Sequence, residues 1–265
     1  MEYQVTALIV IDPSKSEHPA LDRALLLADR VYSRGRVKMV FLLNSSETTT
    51  AGAGAVLCDG DWVRENVYNR LLTKPQVEYS VLMGWGPTFN DVILEASHKV
   101  QPTLTLVPQY DTSNASRFSD ERWKLLREAT NSVLLAPLGQ RQHSGRLLCA
   151  FKLQDETYDE RNQRIAAVGK RLGEMFGLEV HAVNAYSDSM NFPDRGRIAA
   201  MTGIANENIH VKLGEPDDVI CGVANEIDAD LTLIASKQRK GWKGALRGNM
   251  IEKISERMNR DILMI

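Results

Sequence analysis

Cysteine is scarce in this chain, with three in 265 residues, at Cys58, Cys149 and Cys221. They are too few and too scattered for a disulfide framework, and no CxxC pair or His/Cys cluster points to zinc. Aromatic residues make up 6% of the chain, and no apolar run approaches the roughly 18 residues that span a bilayer. Charge of one sign is also missing. Thirty-two Lys and Arg stand against 34 Asp and Glu, for a formal net charge of −2 and a pI of 6.2, too near neutral for coating nucleic acid. HExxH, GxSxG and Walker patterns are absent, so the common zinc-protease, serine-hydrolase and P-loop chemistries are not expected. The opening Met1-Glu2-Tyr3-Gln4 has neither the basic region nor the long apolar core of an export signal, so the expectation is a cytoplasmic protein.

What is present is an ordinary globular balance, 43% hydrophobic and 25% charged, and one long internal repeat. Residues 91–107 (DVILEASHKVQPTLTLV) align without a gap on residues 218–234 (DVICGVANEIDADLTLI). Farther on, Ser132-Val133-Leu134-Leu135 falls opposite Asp261-Ile262-Leu263-Met264. A period this long means two copies of one domain, expected at 1–140 and 141–265, joined through the polar stretch LGQRQHSG.

Each copy reads as alternating strands and helices. In the first, the apolar runs Ala7–Ile11, Val37–Leu42, Val77–Met83, Leu104–Val107 and Val133–Ala136 predict strands. Between them, Leu21–Val31 (stopped by Gly35), Trp62–Leu72, Asp91–Val100 and Glu121–Ala129 predict helices. In the second, the strands are Leu147–Phe151, Leu178–Ala185, Ile209–Leu213, Leu231–Ala235 and Ile262–Ile265. The helices are Asn162–Phe176, Arg195–Met201, Asp217–Ile227 and Met250–Met258. The pattern implies βαβ units, hence two tandem doubly wound α/β domains of five parallel strands each. The short apolar last strand of each copy would be an aggregation-prone edge if left open. The expectation is therefore an intramolecular pseudo-dimer, with a pseudo-twofold contact between Val133–Ala136 and Ile262–Ile265.

The loop Ala235–Asn249 carries the most chemistry. It leaves the fourth strand of the second copy at the edge where open α/β sheets bind ligands. Lys237, Arg239, Lys240, Lys243 and Arg247 make it basic, Gly241 and Gly244 permit close backbone approach, and Gly248-Asn249 precede a helix start. Together these resemble a phosphate cradle. Asn249 with Glu252 also reads as a variant capping box, which needs no ligand. The other signals are weaker. Gly84-Trp85-Gly86-Pro87 reads as a turn, and Asp217-Asp218 as carboxylates offsetting a helix dipole. Cys149 and Cys221 read as buried and inert, and His181 and His210, expected on neighbouring strands, as packing or surface residues without a carboxylate or Cys partner at ligand spacing.

The two-copy layout, GEPDDVI before a helix, ADLTLIAS, and a loop ending in Gly-Asn ahead of a short helix and last strand resemble the universal stress protein family. Trp123-Lys124-Leu125-Leu126-Arg127 and Gly248-Asn249 are most similar to its tandem, UspE-like branch. The resemblance spans nearly the whole chain and is weakest from about Ser45 to Lys74. It implies the adenine nucleotide alpha hydrolase-like fold and a role in stress response. ATP-binding members have an Asp after the first strand and a G-x2-G-x9-G-[S/T/N] loop. In the second copy that loop falls on Ala235, Gln238, Gly248 and Asn249, and the Asp position falls on Lys152, with Asp155 three residues on. In the first copy Asp12 matches, as a vestigial nucleotide position, but Pro108, Asp111 and Ser119-Asp120 replace the glycine loop. Neither copy has a complete nucleotide site.

Three function classes follow. The first is a non-catalytic stress protein that binds a small anionic or nucleotide ligand, such as ATP or another phosphate-bearing molecule, or a protein partner. The second is an ATP-binding member with slow hydrolysis in the second copy, for which no general base is evident. The third, a doubly wound oxidoreductase or a two-domain solute receptor, lacks the glycine fingerprint and the export signal respectively. Neither nucleic acid nor a membrane span is expected, and a homodimer remains an open alternative.

Overall fold

The structure is a computed structural model. It describes residues 5–31, 36–44, 60–84, 86, 88–110, 124–126, 128–139, 143–188, 190, 192–235 and 250–265. The chain divides into two compact units, Met1–Gly139 and Gln140–Ile265.

In the first unit the strands are β1 (Val5–Ile11), β2 (Val37–Leu43), β3 (Val77–Met83), β4 (Leu104–Gln109) and β5 (Ser132–Pro137). All pair in parallel, in the order β3-β2-β1-β4-β5. Helix α1 (Pro19–Val31) joins β1 to β2, and α3 (Phe89–Val100) joins β3 to β4. Between them α2 (Gly60–Val63) runs on through a π-helical stretch, Arg64–Tyr68, into Asn69–Leu71. That π stretch falls inside the helix expected at Trp62–Leu72, where apolar spacing alone gives no sign of it. Helical residues 124–126 and 128 lie within the expected Glu121–Ala129, and Gly35 lies outside the described residues.

The second unit repeats this order with β6 (Arg146–Phe151), β7 (Glu179–Tyr186), β8 (Ile209–Leu213), β9 (Leu231–Ile234) and β10 (Asp261–Met264). These are again parallel, as β8-β7-β6-β9-β10. The helices are α4 (Asp159–Phe176), α5 (Arg195–Thr202), α6 (Pro216–Glu226) and α7 (Met250–Arg257). Within each sheet the chain winds one way from the central strand, then returns and winds the other way. Right-handed crossovers therefore put the first two helices and the last two on opposite faces.

Local chemistry fixes the ends. Thr88 caps α3 by accepting from the Asp91 N–H and donating its hydroxyl to the Asp91 carboxylate. Asp194 caps α5 through the Gly196 N–H, and Pro216 stands in the first turn of α6. Helix α4 stops at Gly177, which takes φ +68°, a left-handed conformation that a side chain would strain. Because helices cover both faces, the central strands read as unbroken apolar runs: Ala7 to Ile11 are all buried, as are Leu147 to Phe151. The repeated Leu-Thr-Leu segments occupy the same place in each unit. Leu104, Thr105 and Leu106 pair with Ala7, Leu8 and Ile9, while Leu231, Thr232 and Leu233 pair with Leu147, Leu148 and Cys149.

Candidate functional site

In each unit the winding reverses between the first and fourth strands. At that switch point the carboxyl ends of two neighbouring strands diverge and leave room for a ligand. The first unit places Asp12 and Tyr110 there, just past β1 and β4. The second places Lys152 and Ala235 there, just past β6 and β9.

Asp12 is fully buried. One carboxylate oxygen accepts from the Ser14 N–H at 3.0 Å and the Ser14 hydroxyl at 2.6 Å, closing a turn on itself. Tyr110 is held far above its ordinary phenol range, first by burial and then by the Asp12 charge, so it stays neutral. Lys15 Nζ lies 6.0 Å from the Tyr110 ring centre. Nearby, Asn44 at the end of β2 donates to the Phe89 carbonyl, and His18 meets the edge of Trp62 at 5.4 Å. Burial keeps the His18 imidazole below its ordinary range. The Asp12 carboxylate is thus taken up by its own turn, while the Tyr110 hydroxyl and His18 Nδ1 are buried without a hydrogen-bond partner among the described residues.

Lys152 of the second unit occupies the place that Asp12 has in the first. Its ammonium is 3.2 Å from Asp155 and 4.4 Å from the centre of the Tyr158 ring, a cation–π arrangement. Asp155 itself accepts from the Thr157 hydroxyl and N–H, opening the 3₁₀ turn Glu156–Tyr158. The Thr157 bonds, with Lys152 beside them, bring the Asp155 carboxyl down to about 2. Two asparagines pin the backbone. Asn162 accepts from the Lys152 N–H and donates to the Lys152 carbonyl, while Asn184 accepts from the Leu153 N–H. The loop after β6 therefore offers a fixed cation and no free backbone donor at Lys152 or Leu153.

Ala235 is half-buried directly after β9. Gln238, Lys240, Gly241, Gly244, Arg247, Gly248 and Asn249 lie outside the described residues, as do Asp111 and Ser119-Asp120. Helix α7, which follows, is tied to the start of α6: Arg257 is 2.5 Å from Asp218 and 3.2 Å from Asp217, and Lys253 is 3.6 Å from Asp217. These carboxylates link two helices, in addition to offsetting a dipole. Cys149 is buried, and burial pushes its thiol up to about 12. Cys221 is buried and raised as well.

Glu179 Oε2 lies 3.4 Å from His181 Nε2, with no hydrogen bond between them. The two residues are successive positions on one face of β7, at i and i+2. Sequence reasoning missed Tyr158, Asn162 and Tyr110, which stand in a loop or helix turn next to a strand end, and Asn184, which lies within β7. Among the described residues no group of three or more His, Cys, Asp or Glu is placed to hold a metal, and no helix is long and apolar enough to cross a membrane.

Residues 153–265 match the universal stress protein family. The universal stress protein E of Escherichia coli strain K12 is 27% identical over 295 residues, covering 97% of this chain and 92% of that protein. A crystal structure from Pseudomonas aeruginosa PAO1, of a protein of unknown function, superposes with a TM-score of 0.77 at 21% identity, over 99% of this chain and 92% of that one. A universal stress protein from Archaeoglobus fulgidus gives a TM-score of 0.66 at 15% identity, covering 98% and 95%.

Proposed function

We propose that this chain, whose residues 153–265 match the universal stress protein family, serves stress response by holding a small phosphate-bearing anion at the second switch point, without catalysis. The observation that carries this reading is the fixed Lys152 ammonium at the position where the first unit has Asp12. A lysine there cannot accept a hydrogen bond from a ribose hydroxyl or an adenine amine. It adds positive charge at the end of β6, next to the end of β9, after which the sequence supplies Lys240 and Arg247, and it favours phosphate over nucleoside. Gly241, Gly244 and the Gly248-Asn249 pair would bring backbone N–H groups to the same anion.

The test is calorimetric titration of the full chain with pyrophosphate and with Mg-ATP, together with mass analysis of small molecules released on denaturation. Pyrophosphate should bind at least as well as ATP. Lys240→Glu with Arg247→Glu should weaken it by about 1–3 kcal/mol, the scale of charge-assisted hydrogen bonds. Lys152→Asp should shift preference from pyrophosphate toward ATP. Tight ATP binding by the unaltered chain, with phosphate released on incubation, would replace this reading with the slow-hydrolysis one.

A further inference from the structure

A cavity of about 470 Å³ opens in the second unit, on the sheet face covered by α4 and α5. None of the residues around it comes from β9, the segment after it, or α7, so it is separate from the switch point. Its size falls within the range of small-molecule sites, roughly 300–1,000 Å³.

The cavity has a physical origin. Helix α4 lies close on the sheet, since a Cβ at Gly169 would stand 2.5 Å from Cys149 Sγ and one at Gly173 would stand 2.6 Å from Val180. Helix α5 has only eight residues and ends at Gly203, which takes φ +72° and turns the chain away toward β8. A short helix leaves the sheet beside α4 uncovered. The floor and walls are apolar: Phe151 from β6, Val180 from β7, Ala166 from α4 and Ile204 from the turn.

Two charges stand in the lining, Lys170 and Glu174, one turn apart on α4. Neither makes a side-chain hydrogen bond or ion pair among the described residues. Lys before Glu is the less favourable order for a helix pair, so the two do little for each other. They are neighbours on the helix surface, about 5–6 Å apart at Cβ. A single small molecule with adjacent opposite charges can bridge both. The carbonyls at the end of α5, at Thr202 and Gly203 beside the cavity, add partial negative charge that suits an ammonium.

We propose that this cavity binds a small zwitterion with an apolar tail, of the chemistry of an α-amino acid such as leucine or phenylalanine. The carboxylate meets Lys170, the ammonium meets Glu174, and the tail lies against Phe151, Val180, Ala166 and Ile204. This adds a ligand site to the second unit and does not depend on the anion site proposed above.

The experiment is titration of the full chain with L-leucine and L-phenylalanine, and with 4-methylpentanoate and isoamylamine, which keep the leucine-like tail but one charge each. The amino acids should bind with one site per chain, and each one-charge analogue about tenfold more weakly, the scale of one lost charge-assisted bond. Lys170→Ala and Glu174→Ala should each weaken the amino acids to a similar extent while the thermal melt holds. Ala205→Trp, at the exposed mouth, should abolish binding and leave pyrophosphate titration unchanged. The proposal is overturned if no amino acid binds at millimolar concentration, if either one-charge analogue binds equally well, or if all three variants bind as the unaltered chain does.

Discussion

His181 and His210 face each other across β7 and β8, with Nδ1 of the first 3.3 Å from Nε2 of the second and the rings stacked at 22°. The contact needs one N–H and one lone pair, so at least one ring is neutral. His181 is buried, and its other nitrogen lies 3.4 Å from Glu179 Oε2 without a hydrogen bond; Glu179 accepts from Asn208 and lies 3.5 Å from Arg146. The surroundings of His210 hold its pKa below the ordinary value, chiefly through burial, then through the charge of His181, with Lys212 and Arg195 adding to the effect and Glu226 opposing it.

A group whose folded pKa is depressed binds more protons unfolded than folded. Its contribution is complete above the unfolded value, about 6.5, and is lost as pH falls through the lower folded value. Burial depresses His18 in the same direction. Thermal stability should therefore fall between about pH 7 and pH 5, before the carboxylates titrate. His210→Gln, which can still donate to His181, should flatten that slope when melting is followed by circular dichroism at half-unit steps. An unchanged slope would assign the loss to other groups.

Gly169→Ala tests the seat of α4. Helix propensity alone favours alanine by about 1 kcal/mol. The added methyl would stand 2.5 Å from Cys149 Sγ in a well-packed strand, and overpacking of this kind costs about 1–3 kcal/mol. Net destabilisation is expected in urea unfolding. Adding Cys149→Ala to the same chain should recover part of it, a coupling that a double-mutant cycle measures directly.

Arg260 is a buried cation just before β10. It donates to the Ala229 carbonyl at 2.5 Å, to Asp228 at 2.9 Å and to Asn225, pinning the turn that joins α6 to β9. Asp228 there has φ +50°. Arg260→Met keeps the stem but leaves the Ala229 carbonyl and the Asn225 side chain without these donors. It should cost about 2–4 kcal/mol, read as a lowered urea midpoint with m unchanged.

Asn162→Leu should remove both bonds to the Lys152 backbone. A loss of about 1–3 kcal/mol is expected from leaving that N–H and C=O unpaired. Hydrogen exchange at Lys152 should accelerate more than at Leu153, whose N–H stays on Asn184. Equal acceleration at both would show that the loop opens as one piece.

The succession of strands and helices along the chain and most of their bounds were legible because they rest on local, periodic signals. Val77–Met83 and Ile209–Leu213 match their apolar runs to the residue, and other strands differ by one or two positions at the ends. β1, β2, β4, β5 and β6 run longer than their apolar runs because a neighbour in register extends pairing past the last apolar residue, as Asn44 shows by donating its N–H to the Ile11 carbonyl, whereas β7 and β10 shift by one residue and β9 stops one short. Asp12 and Lys152, singled out by the family resemblance, follow directly on the first strand of each copy.

What sits beside those residues was not. The repeat makes Asn131 and Arg260 equivalent, each just before a last strand. Asn131 donates to Thr105 and accepts from Ser97, whereas Arg260 reaches Asn225, Asp228 and Ala229. The cavity beside α4 depends on where a short helix ends relative to the sheet, and the histidine pair depends on the register of β7 against β8. Sequence determined the order and faces of the elements, because hydrophobic periodicity and glycine and proline chemistry act within a few residues. Tertiary structure decided the partners of polar groups and the shape of empty space, because both are set by distances between segments far apart in the chain.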